Sequence, residues 1–271
     1  MLTIGSGFEP LGIAPMMLED GVLTFIGGTD LFDYHDFIGV EAACYPDLAD
    51  CLSGLTWQAM ILSSIPSFSA TVSELPAIFA DRGFRVEVDL EDVVPGVALP
   101  NSWEDYVSAL AKKDRHELRR KLRRLEAAGD YRLVRSTSDS LERDLSIFTE
   151  VMKESREEKR EFLDPERESF FHRIVYNAMN TGHLQLQFLE LDGEPMAAIL
   201  AFDYGGRRLL YNSGYRLEFG HLSAGLMCKA LSIKDAIEHG LSYFDFLRGP
   251  EPYKYHLGAS DVDLFRITIR R

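Results

Sequence analysis

The chain has 271 residues, 46% of them apolar, with a formal charge of −14, so it is long enough for one large core or two modest ones. No apolar run approaches the roughly 20 residues a bilayer span needs, and the start lacks a basic segment followed by an apolar one, which predicts a soluble cytoplasmic protein. Three cysteines form no CxxC pair and no histidines sit three to five apart beside them, which argues against zinc and disulfides, while the acidic balance argues against a surface built to bind nucleic acid throughout.

The first part reads as short strands: "GIAPMML" from Gly12, a turn at "EDG", then "VLTFIGG". A helix is expected from Pro46 to Leu55, with proline in its first turn. The strand "WQAMILSSI", a helix over 71–82 and the alternating strand "FRVEVDL" follow. This half is expected to end at the turn "VVPGVALP", giving domains 1–100 and 101–271.

Ser102 reads as the N-cap of a helical region that runs to Gly129. Leu118, Leu122 and Leu125 make one apolar stripe on it. Between Lys112 and Arg135 stand ten Lys or Arg against four Asp or Glu, so an acidic chain carries a locally basic helix. Such arginines serve either as a solvated face or as a seat for an anionic ligand such as a nucleotide-linked sugar or a tRNA acceptor stem.

The second half opens with the strand "YRLVR", then helices over about 138–159 and 166–180. Three strands follow, "HLQLQFLEL", "EPMAAILAFDY" and "RRLLYNSGY", joined by "DG" and "GG" turns that predict an antiparallel meander. A helix capped by Ser223 is expected to run to His239 and stop at Gly240. The strand "SYFDF", a loop and the strand "DLFRITI" complete the chain. The composite is α+β, an α/β mixed sheet, and the first half shows a shortened form of the later order.

This order resembles the acetyltransferase fold of the GNAT superfamily, and the half-repeat resembles its FemAB-like and CelD-like branch, in which two such domains stand in tandem. "GIAPMM", "SWEDYVSALAKKDRHELRRKLRRLE", "HLSAGLMCKALSIKDAIEHG" and "FDFLRGPEPYKYHLG" look like successive segments of the CelD-type group, covering about Leu11 to Leu264. The resemblance implies a first domain shortened at its N-terminus. It also implies an acyltransferase that moves an acyl group from acyl-coenzyme A to an amine or hydroxyl acceptor, such as an amino sugar or a polysaccharide or cell-envelope precursor, without a metal.

In the superfamily the coenzyme diphosphate sits at a helix start, and Ser223, Ala224 and Gly225 with Lys229 match that position. Free N–H groups and small residues suit a phosphate there, although the spacing departs from the family's usual one and also fits an ordinary serine cap. Acyl transfer needs a base, oxyanion stabilisation and a proton donor. Asp245, at a strand end between two phenylalanines, or Glu251 could be the base. Lys254 could stabilise negative charge, Tyr253 or Tyr211 could donate a proton, and Tyr253-Lys254 match the aromatic-lysine pair of FemAB-like substrate sites. Arg248, on a loop stiffened by Pro250 and Pro252, together with Tyr211, Arg120 and Arg124, completes the expected substrate contacts. Asp245 and Arg248 also fit a structural ion pair. Cys228 is expected to pack, and His35 to lie in a surface loop or line the cleft. Two alternatives stay open: a FemAB-type aminoacyl transferase that uses charged tRNA, and a non-catalytic partner-binding protein. Fold alone does not decide among them.

Overall fold

The computed structural model describes residues 2–4 and 12–271; residues 1 and 5–11, the front of the expected first domain, lie outside the described residues. In chain order the elements are β1 (Leu2–Ile4), β2 (Gly12–Ala14), β3 (Met16–Glu19), β4 (Val22–Phe25), α1 (Tyr45–Ser53), β5 (Ala59–Pro66), α2 (Ala70–Asp81) and β6 (Arg85–Ala98). Then come α3 (Trp103–Ala109), α4 (Lys112–Glu126), β7 (Tyr131–Arg135), α5 (Leu141–Ser155), α6 (Glu157–Phe162), α7 (Pro165–Asn180), β8 (Leu184–Leu191), β9 (Glu194–Tyr204) and β10 (Arg207–Tyr215). The chain closes with α8 (Ala224–Glu238), β11 (Tyr243–Asp245), α9 (Pro252–His256) and β12 (Ser260–Arg270).

Two compact units divide the chain. The first comprises Met1–Val94, Arg248–Pro250 and Asp261–Arg271. Its strands follow the order β3-β4-β5-β12-β6. The β3–β4 hairpin turns at Asp20 and Gly21, both at positive φ, the backbone a tight two-residue hairpin requires. Strand β4 runs parallel to β5 and β12 antiparallel to it. Their inward residues Met60, Leu62, Ile267 and Ile269 pack with Leu48, Leu52, Leu75 and Phe79 of α1 and α2. Ser69 opens α2 by accepting from Thr71 N. The last strand, which the expected boundary at residue 100 would assign to the second half, thus pairs in the first unit.

The second unit comprises Pro95–Leu247 and Glu251–Ser260. Its strands follow β6-β11-β10-β9-β8-β7, so β6 gives its first part to one unit and residues 95–98 to the other. "VVPGVALP" is therefore strand through Ala98, where a turn was expected. Proline is tolerated because Phe246 N donates to its carbonyl and the ladder with β11 begins at Gly96. The meander β8–β9–β10 pairs antiparallel throughout, with Asp192-Gly193 and Gly205-Gly206 at positive φ in its turns. Strand β11 joins β10 in parallel after the α8 crossover. Helix α8 packs Met227, Ala230, Ile233 and Ile237 into a core shared with Leu118, Leu125, Leu189 and Phe244.

Three helical expectations change. The region from Ser102 to Gly129 is two helices, because Leu110 turns to extended backbone and buries its side chain. The segment over 138–159 breaks at Arg156, also extended, so that α6 leaves at a new angle. The loop after β11 contains the short helix α9. At the far end of α8, Arg208 is fully buried and held by Asp203 at 2.8 Å, Asp235 at 2.6 Å and the Ser232 carbonyl at 3.0 Å.

Candidate active site

A cleft of about 300 Å³ opens in the second unit where α8 starts. Strand β10 supplies Ser213, Gly214 and Tyr215, α8 and the turn before it supply Ser223, Gly225 and Lys229, the α5–α6 break supplies Arg156 and Lys159, and the loop into α9 adds Glu251 and Tyr253.

Local sequence explains this gathering. Strand β10 carries a bulge between Leu210 and Asn212, and its pairing with β9 resumes at Asn212. The Asn212 Oδ1 accepts from Ser213 N at 2.8 Å and from Lys159 Nζ at 2.9 Å, and Lys159 Nζ also donates to the Ser213 carbonyl. Gly214 lets α5 lie directly on the strand: a Cβ there would sit 2.6 Å from both Met152 Cα and the Val151 carbonyl oxygen. Gly225 plays the same part at the helix start, where a Cβ would come within 3.0 Å of the Tyr215 ring. At the start of α8 the N–H groups of Leu226 and Met227 donate to the Ser223 carbonyl, while those of Ala224 and Gly225 have no carbonyl one turn earlier in the helix.

The site is electropositive. Lys229, 8% exposed, donates to the Gly225 carbonyl at 3.2 Å and lies 4.9 Å from the Tyr253 ring centre. Burial drives its ammonium down to about 8. Charge on Cys228 would oppose that shift, but burial pushes the thiol itself up to about 12, so at neutral pH no thiolate is present to do so. Burial, reinforced by the charges of Lys229 and Arg156, brings Lys159 down to about 7. Burial also raises the Tyr253 phenol, which stays protonated at physiological pH.

Of the residues singled out from the sequence, Ser223, Gly225, Lys229, Glu251 and Tyr253 line the cleft. Ser223 stands at the N-cap of α8, but not as the capping side chain expected. Its backbone is left-handed, at φ 58° and ψ 39°, and its Oγ accepts from Arg124 Nη2 at 3.0 Å. Ala224 is buried beneath it. Lys254 is 1% exposed and donates to the Leu247 carbonyl and to Glu251 Oε2, each at 2.8 Å. Asp245 is equally buried, and its Oδ1 accepts from Leu247 N at 2.9 Å, closing a turn around a leucine at positive φ.

The remaining residues stand elsewhere. Tyr211 packs between Phe171 and Phe202, and Arg120 pairs with Glu117 along α4. Arg248 belongs to the first unit, where it donates to Ser64 Oγ and faces Glu91 at 3.7 Å. His35, in the same unit, stacks on Phe25, and burial lowers its pKa. Cys228 is fully buried in the core. Sequence reasoning missed Arg156, Lys159, Ser213 and Gly214. The only signal was Gly214 near the end of a strand; Lys159 lies in a charged run that reads as solvated.

A mixed sheet whose crossover helix begins beside a bulged strand, over a small cationic cleft, is an arrangement suited to holding an anionic group-transfer substrate. The chain belongs to the family described as acetyltransferase (GNAT) domain, which matches residues 112–255. No curated protein matches the chain in sequence. Among solved structures it is similar to FemX, at 14% identity and a TM-score of 0.67, covering 97% of this chain and 86% of that one. It is also similar to a conserved protein of unknown function from Bacteroides thetaiotaomicron VPI-5482, at 12% identity and a TM-score of 0.65, covering 97% and 85%. L-PGS from Bacillus licheniformis matches at 13% identity and a TM-score of 0.56, covering 93% and 79%. Identities this low speak to the fold alone.

Proposed function

We propose that the protein transfers an acyl group from acyl-coenzyme A to an amine or hydroxyl acceptor in the cytoplasm, an amino sugar or cell-envelope precursor being the kind of acceptor in view. The observation that carries this reading is the start of α8 at the cleft, which Ser223, Gly225 and Lys229 line together. A diphosphate there would meet the positive end of the helix and its first N–H groups, with Lys229 one turn further along. In the reaction the acceptor nitrogen or oxygen bonds to the thioester carbonyl carbon, the C–S bond breaks, and the departing thiolate takes a proton. Tyr253, protonated and lining the cleft, is placed to give that proton. The proton the acceptor loses would pass to Glu251, which lines the cleft and is one of the two bases the sequence suggested.

Calorimetric titration with acetyl-coenzyme A tests the reading. Wild-type protein is expected to bind in the micromolar range and Gly225→Glu to lose binding, because the new carboxylate would fill and repel the phosphate position. No binding by folded wild type would sink the donor assignment.

A second reading, transfer of an aminoacyl group from tRNA, is favoured by the basic face of α4, where Arg119, Arg120 and Arg123 are exposed. A steep fall of tRNA affinity with salt would support it.

A further inference from the structure

Arg156, Lys159 and Lys229 line one small cleft, and among the described residues none of the three takes part in an ion pair. Lys159 Nζ meets two uncharged acceptors, the Asn212 amide oxygen and the Ser213 carbonyl. Lys229 meets a carbonyl and an aromatic face. The one acid in the lining, Glu251, is already engaged by Lys254 at 2.8 Å. A buried ammonium without a counter-ion is costly; Lys229 is 8% exposed, and the partly buried Lys159 and exposed Arg156 stand with it in a chain whose formal charge is −14. Three cations thus share one cleft of an acidic chain.

The geometry points to an acceptor that carries its own anionic group, a carboxylate or a phosphate, seated by Lys159, Arg156 and Lys229. This inference rests on the acyl-transfer reading for the word acceptor; the anion seat itself does not. Arg156 and Lys159 come from the α5–α6 break, while Lys229 stands on α8 in the same cleft, one turn beyond the backbone N–H groups of Ala224 and Gly225 assigned to the donor diphosphate. An acceptor held there by its anionic oxygens would present its nucleophile beside the Lys159 amine.

The charged and titratable groups around the seat set its pH dependence: Cys228 and Tyr253, both neutral near pH 7, the permanent cation Arg156, and the Glu251–Lys254 pair. An anion binds the protonated lysines and raises their pKa values, so complex formation takes up protons. Affinity is therefore highest below about pH 7 and falls as pH rises through 8, the range in which Lys159 and Lys229 discharge.

The test is calorimetric titration of the full chain with malonate and, separately, inorganic phosphate, with and without saturating acetyl-coenzyme A. Malonate keeps a constant charge from pH 7 to 9, so its pH dependence reports the protein, and the tighter of the two probes names the anionic group. Lys159→Gln is expected to weaken the tighter probe at least about tenfold while leaving the affinity for acetyl-coenzyme A unchanged. Arg156→Gln, at an exposed position that a folded protein tolerates, is expected to weaken the same probe. Binding that is insensitive to both variants, or that does not fall between pH 7 and 9, would overturn the seat. Mutual exclusion of probe and acetyl-coenzyme A would overturn its assignment to the acceptor, because the anion would then be the donor's. Lys159-dependent probe binding by a protein that ignores acetyl-coenzyme A would uphold the seat and remove only the acyl-coenzyme A reading.

Discussion

Arg208 shows how an interior charge is kept. Its guanidinium meets Asp203, Asp235 and the Ser232 carbonyl, and Asp235 is further engaged by Arg135 at 3.0 Å and by the Gln187 amide at 2.9 Å. Burial works against ionisation of Asp235, yet Arg208 more than offsets it and holds the carboxyl below its ordinary 3.8. Replacing Arg208 by methionine leaves two carboxylates without their central cation and should cost about 3–5 kcal/mol near neutral pH, read from urea unfolding. Because the folded pKa of Asp235 is depressed, its stabilisation is present above the unfolded value and is lost as pH falls through the folded one. The gap between wild type and Arg208→Met should therefore narrow below about pH 4; a gap that is constant down to pH 3 would contradict the account. Lys159 is the residue-scale counterpart that sequence could not reveal. In "SREEKREF" it is one charge among several, and only the extended backbone at Arg156, which no proline or glycine announces, turns it onto Asn212.

At the scale of elements, legibility followed local chemistry. The meander β8–β9–β10 was readable because alternating strands are joined by Asp-Gly and Gly-Gly turns whose left-handed backbone only such residues adopt readily. The two interrupted helices were not readable, since burial of Leu110 and the exit of α6 are tertiary choices. The apolar stripe of α4 was also legible, and it separates two roles along one helix. Leu125 is fully buried in the core with Leu118, while Arg120 stands exposed against Glu117. Leu125→Ala should cost about 2–5 kcal/mol, and Arg120→Ala should stay within about 0.5 kcal/mol of wild type, both measured by denaturant unfolding. A large loss in Arg120→Ala would mean that the arginines carry structure, not merely solubility or ligand contact.

For the whole molecule, the long-range pairing of β12 is what local pattern could not show. Alternation in "DLFRITI" marks a strand, but nothing in those residues says that Ile267 and Ile269 complete the core of Leu62 and Phe79, some 200 positions earlier. Removing residues 261–271 should expose that core. The expected result is rapid proteolysis within residues 12–94, with the stretch from 95 to 260 resisting much longer; equal resistance of both would contradict the division into units.

The same return of the chain orders events during synthesis on the ribosome. The second unit has all its residues once position 260 has emerged, while the first, although begun earlier, waits for residues 261–271. Its apolar strands β4 and β5 are without β12 beside them while everything from Ser67 to Ala259 is made. Nascent-chain handling, and with it the yield of folded protein in a cell, thus depends on how long β4 and β5 can be kept from associating with other chains before β12 arrives.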